Sequence, residues 1–186
     1  MNRLRIKYPK DFTVAPMSYL LSEEWDSFEA DRQHDPDQLW ILKPVAASCG
    51  RGIKIVNGTQ RVPKREGILA CKYVANPHLL NGLKYDLRIY VLVTSFNPLR
   101  VYIYNDGLVR FATERYSLDP KNLNKKYVHL TNFSINKKND KFVKNNDKAA
   151  EHEEGEQEGT NSSKWDFKML KEAYAKIGVS YQYIYA

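Results

Sequence analysis

The chain has 186 residues, 42% of them hydrophobic, and a net charge of +7. That length suits one domain of ordinary size with a real core. No apolar run is long enough to span a membrane, Met1–Lys7 lacks the apolar stretch of a signal peptide, and Cys49 and Cys71 are too few for a disulfide framework or a zinc site.

A reduced, intracellular setting is therefore expected. Five glutamates crowd between Glu151 and Glu158, so the rest of the chain is more basic than the total. Such a body suits an anionic partner, and it equally suits plain solubility.

From Lys7 to Tyr19 the chain is extended in character, with Pro9 and Pro16 opposing a helix. A helix is predicted from Ser22 to about Arg32, with Ser22 as N-cap and Trp25 and Phe28 on one face. Trp40–Ile41–Leu42 reads as a strand closed by Lys43 and Pro44, followed by the small-residue loop Val45–Gly52 and a second strand, Ile53–Val56. Backbone N–H groups of a loop without bulky side chains can approach an anion, and Lys43 and Arg51 add positive charge. An ordinary hairpin explains the same glycines. It is not a Walker A loop, because no Gly-Lys-Ser/Thr follows.

Ile68–Val74 is another strand, ended by Asn76–Pro77. Lys84–Ser95 is the strongest strand in the chain. Residues two apart share a strand face, so Lys84, Asp86 and Arg88 project from one side over about 13 Å, with Leu87, Ile89, Val91 and Val93 on the other. That charged row is either a ligand site or a surface ladder of little energetic worth. Asn97–Pro98 turns the chain into Leu99–Tyr104. Asn105–Asp106–Gly107 then reads as a hairpin turn into the strand Leu108–Thr113, which carries Arg110.

Lys121–Lys126 is basic and loop-like. Residues 136–163 are polar and repetitive in Lys, Asn and Glu, and are expected to form a disordered loop. Trp165–Ile177 has helical apolar spacing. The apolar residues just before Ala186 make the terminus read as cut. The four histidines are scattered, and no nucleophile elbow or RNA-binding module pattern occurs. The remaining features suit nucleotide binding by a β-rich lobe.

Four stretches, KPVAASCGRGIKIV, CKYVANPHLL, KYDLRIYVLVTSFNPLRVYIYNDGLVRFA and HLTNFSINK, carry a further indication. In order and spacing they resemble the tubulin tyrosine ligase-like proteins. The third is most similar to the glutamate-adding members, the tubulin polyglutamylases. The resemblance runs from about Lys7 to Tyr185. It implies an α+β, ATP-grasp-like fold, with β-rich nucleotide-binding lobes and flanking helices, present here as an incomplete domain over residues 1–186.

The resemblance also implies roles. Lys43 and the loop residues Cys49, Gly50, Arg51 and Gly52 are expected to hold ATP phosphates. Cys71, Lys72, Tyr73 and Val74 are expected to form the hinge whose backbone reads adenine. Lys84, Tyr85, Asp86, Thr131 and Asn132 match further ATP contacts. Arg88 matches a residue at the reaction centre, and Arg110 the one that binds the incoming amino acid's carboxylate beside Phe133. The implied partners are glutamate and the acidic tails of tubulin, with no nucleic acid or membrane partner, a monomeric chain, and a place in the cytoplasm on microtubules, in cilia or at basal bodies.

Departures accompany the likeness. Cys71 stands where the family usually has glutamine, and Phe133 where many glutamylases have tyrosine. The family's magnesium ligands, an aspartate and a Glu-x-Asn, lie beyond the helix ending near Ile177. Mg²⁺ is thus expected for the family without ligands in this chain, and weak or absent ligase activity is expected of these residues alone. A non-catalytic tubulin-binding module and a tubulin glycine ligase are the alternative readings.

Overall fold

The computed structural model describes residues 2–144 and 162–184. The chain divides into two compact units. One comprises Met1–Pro77 with Ser117–Lys126, the other His78–Tyr116 with Tyr127–Ala186.

The first unit begins with helix α1 (Asn2–Lys7). The expected extended stretch therefore contains turns after a short helix, and strand β1 (Ser18–Leu20) starts only after Pro16. Helix α2 spans Trp25–His34, later than predicted. Ser22 is not its cap. Glu24 holds that position, and its carboxylate instead accepts the Leu20 N–H at 2.9 Å, tying the helix start to the end of β1.

Strands β2 (Trp40–Pro44), β3 (Lys54–Val56) and β4 (Ile68–Lys72) complete an antiparallel sheet in the order β1-β4-β2-β3. Lys43 and Pro44, expected to close β2, are part of it because they pair with Leu69 and Ile68. The core is aromatic. Trp40 is fully buried, with the Phe28 ring edge-on at 5.0 Å and Tyr19 at 5.9 Å. The α2 residue with the right spacing thus closes over the sheet, as the helical period requires.

The second unit is built on one long hairpin, β6 (Leu83–Phe96) and β7 (Leu99–Phe111), extended by β5 (Leu79–Leu80) and β8 (Lys164–Trp165) in the antiparallel order β5-β6-β7-β8. The hairpin turns at Asn97–Pro98, a cis bond. Short helices α3 (Lys126–His129) and α4 (Phe133–Asn136) follow, then α5 (Phe167–Lys176) and a 3₁₀ turn, Tyr181–Ile184. Trp165, expected to open the last helix, sits in β8 instead. Asp166 caps α5 by accepting the Met169 N–H at 2.8 Å.

Asn105–Asp106–Gly107 is not a hairpin turn. It lies within β7, where Ile89 pairs with Gly107 and the next paired residues are Val91 and Ile103. The surplus residues form a bulge. The turn-forming types serve a different purpose there. Asp106 Oδ1 accepts the N–H groups of Gly107 and Phe167, at 2.7 and 3.1 Å, which pins the start of α5 to the hairpin. Phe167 lies so close that a Cβ on Gly107 would stand 2.6 Å from its Cζ.

Near its base the hairpin is covered by α5, with Val109, Phe111, Trp165, Phe167 and Leu170 buried together. Its distal half is not covered. Leu92 is 62% exposed and Phe96 84%, and large apolar residues are exposed on both faces there. The apolar face predicted for Leu87–Val93 is therefore only partly buried, and only at its near end, Leu87.

Gly107 yields a test. Gly107→Ala forces a methyl group against the Arg88 carbonyl and the Phe167 ring. Overpacking of this kind costs about 1–3 kcal/mol, and the second unit should show a correspondingly lower denaturant midpoint.

Candidate functional site

The first unit carries Lys43, the loop from Val45 to Ile53 and the segment Cys71–Val74. Between β2 and β3 the backbone enters the left-handed region at Cys49 (φ 60°), Gly50 (φ 74°) and Gly52 (φ 72°). A Cβ on Gly52 would lie 2.8 Å from Pro44 Cγ, so the loop folds back closely on the end of β2. Lys43 is half-buried and Arg51 exposed.

The Cys71–Val74 segment is more committed than expected. The N–H groups of Lys72 and Tyr73 donate to Met17 and Leu39 carbonyls, both at 2.8 Å. Lys72 Nζ pairs with Asp31 at 3.2 Å and lies over the Trp40 ring. Cys71 and Tyr73 are buried, whereas Val74 is exposed. The Lys72 and Tyr73 N–H groups of the expected hinge are thus already engaged within the first unit.

The second unit carries the remaining candidates. The alternation predicted for β6 holds: Lys84, Asp86 and Arg88 occupy one side, and Tyr85 the other. The Tyr85 hydroxyl joins a chain of hydrogen bonds, to Tyr174 on one side and to His78 Nδ1 at 2.9 Å on the other. Burial and the Tyr174 bond both hold the Tyr85 phenol well above its usual pKa, so it stays protonated. Its hydroxyl belongs to that chain and does not accompany Lys84 and Asp86. Lys84 Nζ lies 5.9 Å from the centre of the Tyr116 ring.

Asp86 stands directly opposite Arg110 in the β6–β7 register. The guanidinium donates from Nε to Oδ1 at 2.8 Å and from Nη2 to Oδ2. This bidentate pair fixes the plane of Arg110 and raises its pKa further. The sequence treated Asp86 and Arg110 as contacts for different ligands; the structure brings them together.

Beside them is a cavity of about 340 Å³, lined by Arg88, Tyr90, Leu108, Arg110, Phe111, Thr131, Phe133, Phe142, Ser163 and Lys164. Four expected site residues, Arg88, Arg110, Thr131 and Phe133, therefore share one space. Asn132 sits between two of them at the start of α4 and makes no side-chain capping bond.

The segment Thr131–Phe133 is held from behind by Asn136, which is 1% exposed. Asn136 Oδ1 accepts the Thr113 N–H at 3.0 Å and its hydroxyl at 2.9 Å. Its Nδ2 donates to the carbonyls of Leu130 at 2.7 Å and Asn132 at 3.1 Å. One amide thereby ties the end of β7 to the candidate loop. Sequence reasoning missed Asn136, Phe142, Ser163 and Lys164.

The stretch 136–163, expected to be disordered, contributes described structure at both ends. The Phe142 ring meets Phe133 at 5.6 Å, and the Ser163 N–H donates to the Val143 carbonyl at 3.0 Å. Residues 145–161 of that stretch lie outside the described residues. Among the described residues no three His, Cys, Asp or Glu side chains gather as a metal-binding group. No described helix is long and apolar enough to cross a membrane.

The model of the tubulin-tyrosine ligase family matches residues 1–178. The chain belongs to that family. It is 36% identical over 181 residues to the tubulin monoglutamylase TTLL4 of Mus musculus, which covers 97% of this chain and 14% of that protein. It is 42% identical over 142 residues to the tubulin polyglutamylase TTLL5 of Homo sapiens, covering 76% of this chain and 11% of the relative. The tubulin polyglutamylase TTLL6 of Mus musculus is 40% identical over 146 residues, covering 77% and 18%. The chain thus spans less than a fifth of the length of these relatives. Membership of the family agrees with the resemblance that the four motifs carried.

Asn136 is directly testable. Asn136→Ala leaves the Thr113 N–H without its acceptor, at a cost of about 1–3 kcal/mol. Hydrogen exchange should then speed up at Thr113 and across Leu130–Phe133, while the first unit keeps its protection.

Proposed function

We propose that the chain is part of an ATP-dependent carboxylate–amine ligase of the tubulin polyglutamylase type, with an ATP-grasp architecture. The observation that carries this reading is the cavity where Arg88 and Arg110 meet Thr131 and Phe133, in a chain of this family. In the reaction a glutamate side-chain carboxylate on a tubulin tail takes the γ-phosphoryl group of ATP, giving an acyl phosphate and releasing ADP. The amine of an incoming glutamate then attacks, an isopeptide bond forms and phosphate leaves.

On this reading Arg110 binds the α-carboxylate of the incoming amino acid, its plane set by Asp86. Arg88 offers positive charge where the acyl phosphate and the tetrahedral oxyanion develop, the kind of preorganised stabilisation that lowers such barriers. The attacking amine passes its protons to solvent, so this reading assigns no side chain of the chain as general base. Phe133 and Phe142 supply apolar walls that limit water around the acyl phosphate.

For ATP, the fit rests on the loop Cys49–Gly52, whose left-handed backbone and small side chains permit close approach of phosphates, with Lys43 at its entrance. Among the described residues no three His, Cys, Asp or Glu side chains gather, and no step here is routed through Mg²⁺. The proposed setting is the microtubule cytoskeleton, with the chain acting as a monomer and, alone, as a weak or inactive ligase.

A second reading is a non-catalytic module that holds acidic tubulin tails, favoured by the net charge of +7. Two measurements separate them. Under the ligase reading the chain binds an ATP analogue, Lys43→Ala weakens that binding about tenfold or more, and labelled glutamate enters tubulin slowly or not at all. Under the module reading the chain co-sediments with microtubules in a salt-sensitive manner and ATP has no effect. Absence of nucleotide binding by the folded chain would overturn the ligase proposal.

A further inference from the structure

Lys164 lies outside every motif that pointed to the family. Strand β8 places it directly opposite Arg110, which is itself directly opposite Asp86. One row across three strands therefore reads Asp86, Arg110, Lys164. Opposed residues share a face, with Cβ atoms about 4.5–5.5 Å apart. Arg88, two residues along β6 from Asp86, lies on that same face.

The charges do not balance. Both Asp86 oxygens are occupied by Arg110. Arg88, Arg110 and Lys164 all line the cavity, and no carboxylate is among its lining residues. Lys164 forms no ion pair with any described residue. Like charges directly opposed across strands repel. The arrangement is relieved by a ligand that brings more than one negative group.

We propose that Lys164 selects an amino acid with a second carboxylate. Arg110 takes the α-carboxylate, Lys164 takes the side-chain carboxylate, and Leu108 and Phe133 flank the methylenes between them. The assignment rests on the reading of this cavity as the amino-acid site. A monocarboxylic amino acid leaves Lys164 unmatched, and a site built for a polar partner penalises the ligand that lacks it. Lys164 is exposed, so water softens that penalty, and a preference of about tenfold is expected instead of the much larger values of buried sites.

The test is calorimetric titration of the 186-residue chain with glutamate, glutamine and glycine, in the presence of a non-hydrolysable ATP analogue. Glutamine matches glutamate in size and lacks the second charge. The wild-type chain should prefer glutamate to glutamine about tenfold. Lys164→Gln should abolish the preference, the loss falling on glutamate, and Lys164→Arg should retain it. Arg110→Gln should weaken both ligands. An exposed strand residue is replaced in the Lys164 variants, so circular dichroism should remain that of the wild type. If the wild type binds glutamate and Lys164→Gln keeps the preference, the role of Lys164 is overturned while the amino-acid site stands. If the folded wild type binds none of the three, the amino-acid reading of the cavity falls, and this assignment with it.

Discussion

The bidentate pair between Asp86 and Arg110 is the contact on which the second unit's candidate site depends. It is partly exposed, with the Asp86 side chain 37% and the Arg110 side chain 21% accessible, so it adds at most about 1 kcal/mol to stability. Its effect is directional. A guanidinium on a flexible stem samples many orientations, and a carboxylate gripping Nε and Nη2 reduces them to one plane. The pair exists only because the β6–β7 register puts these residues opposite one another. A slip of one residue would turn each side chain to the other face. The bulge at Asn105–Asp106, the close fit of Gly107 under Phe167 and the anchoring of α5 by Asp106 all oppose that slip.

The two units prepare their candidate groups by different means. In the first, backbone conformation is decisive: left-handed residues at Cys49, Gly50 and Gly52 shape a loop of mostly small residues. In the second, side chains are decisive. Rows of charge come from strand register, and the Thr131–Phe133 segment is held by a single buried amide that satisfies all its own hydrogen-bonding groups. Buried polar groups satisfied in this way tend to specify one arrangement.

Local patterns were read well where the local signal decides the structure. The alternation of Lys84, Asp86 and Arg88 and the strand–loop–strand around Gly50 could both be read from spacing. The errors share a cause. Asn105–Asp106–Gly107 has the composition of a hairpin turn, but its residues were recruited by α5, which is some 60 positions away in sequence. Ser22 is a good capping residue, yet Glu24 does the tying through β1. Lys164 had no pattern to mark it, because its neighbours Arg110 and Asp86 become neighbours only when three strands align. Asn136 looked like one more asparagine in a polar stretch until its four bonds were visible. Long-range pairing is the information that a linear reading lacks.

The distal half of the β6–β7 hairpin has its own consequence. Tyr90, Leu92, Val101, Tyr102 and Ile103 are exposed there. Among the described residues no strand pairs with its outer edges, since β5 and β8 reach only the base. Charge, which normally guards such edges, is limited to Arg100 between Ile89 and Tyr104. The chain therefore carries an exposed apolar stretch that its overall charge conceals. The concentration at which its solutions stay clear is expected to depend on the apolar residues at one end of this hairpin more than on the melting temperature of the rest.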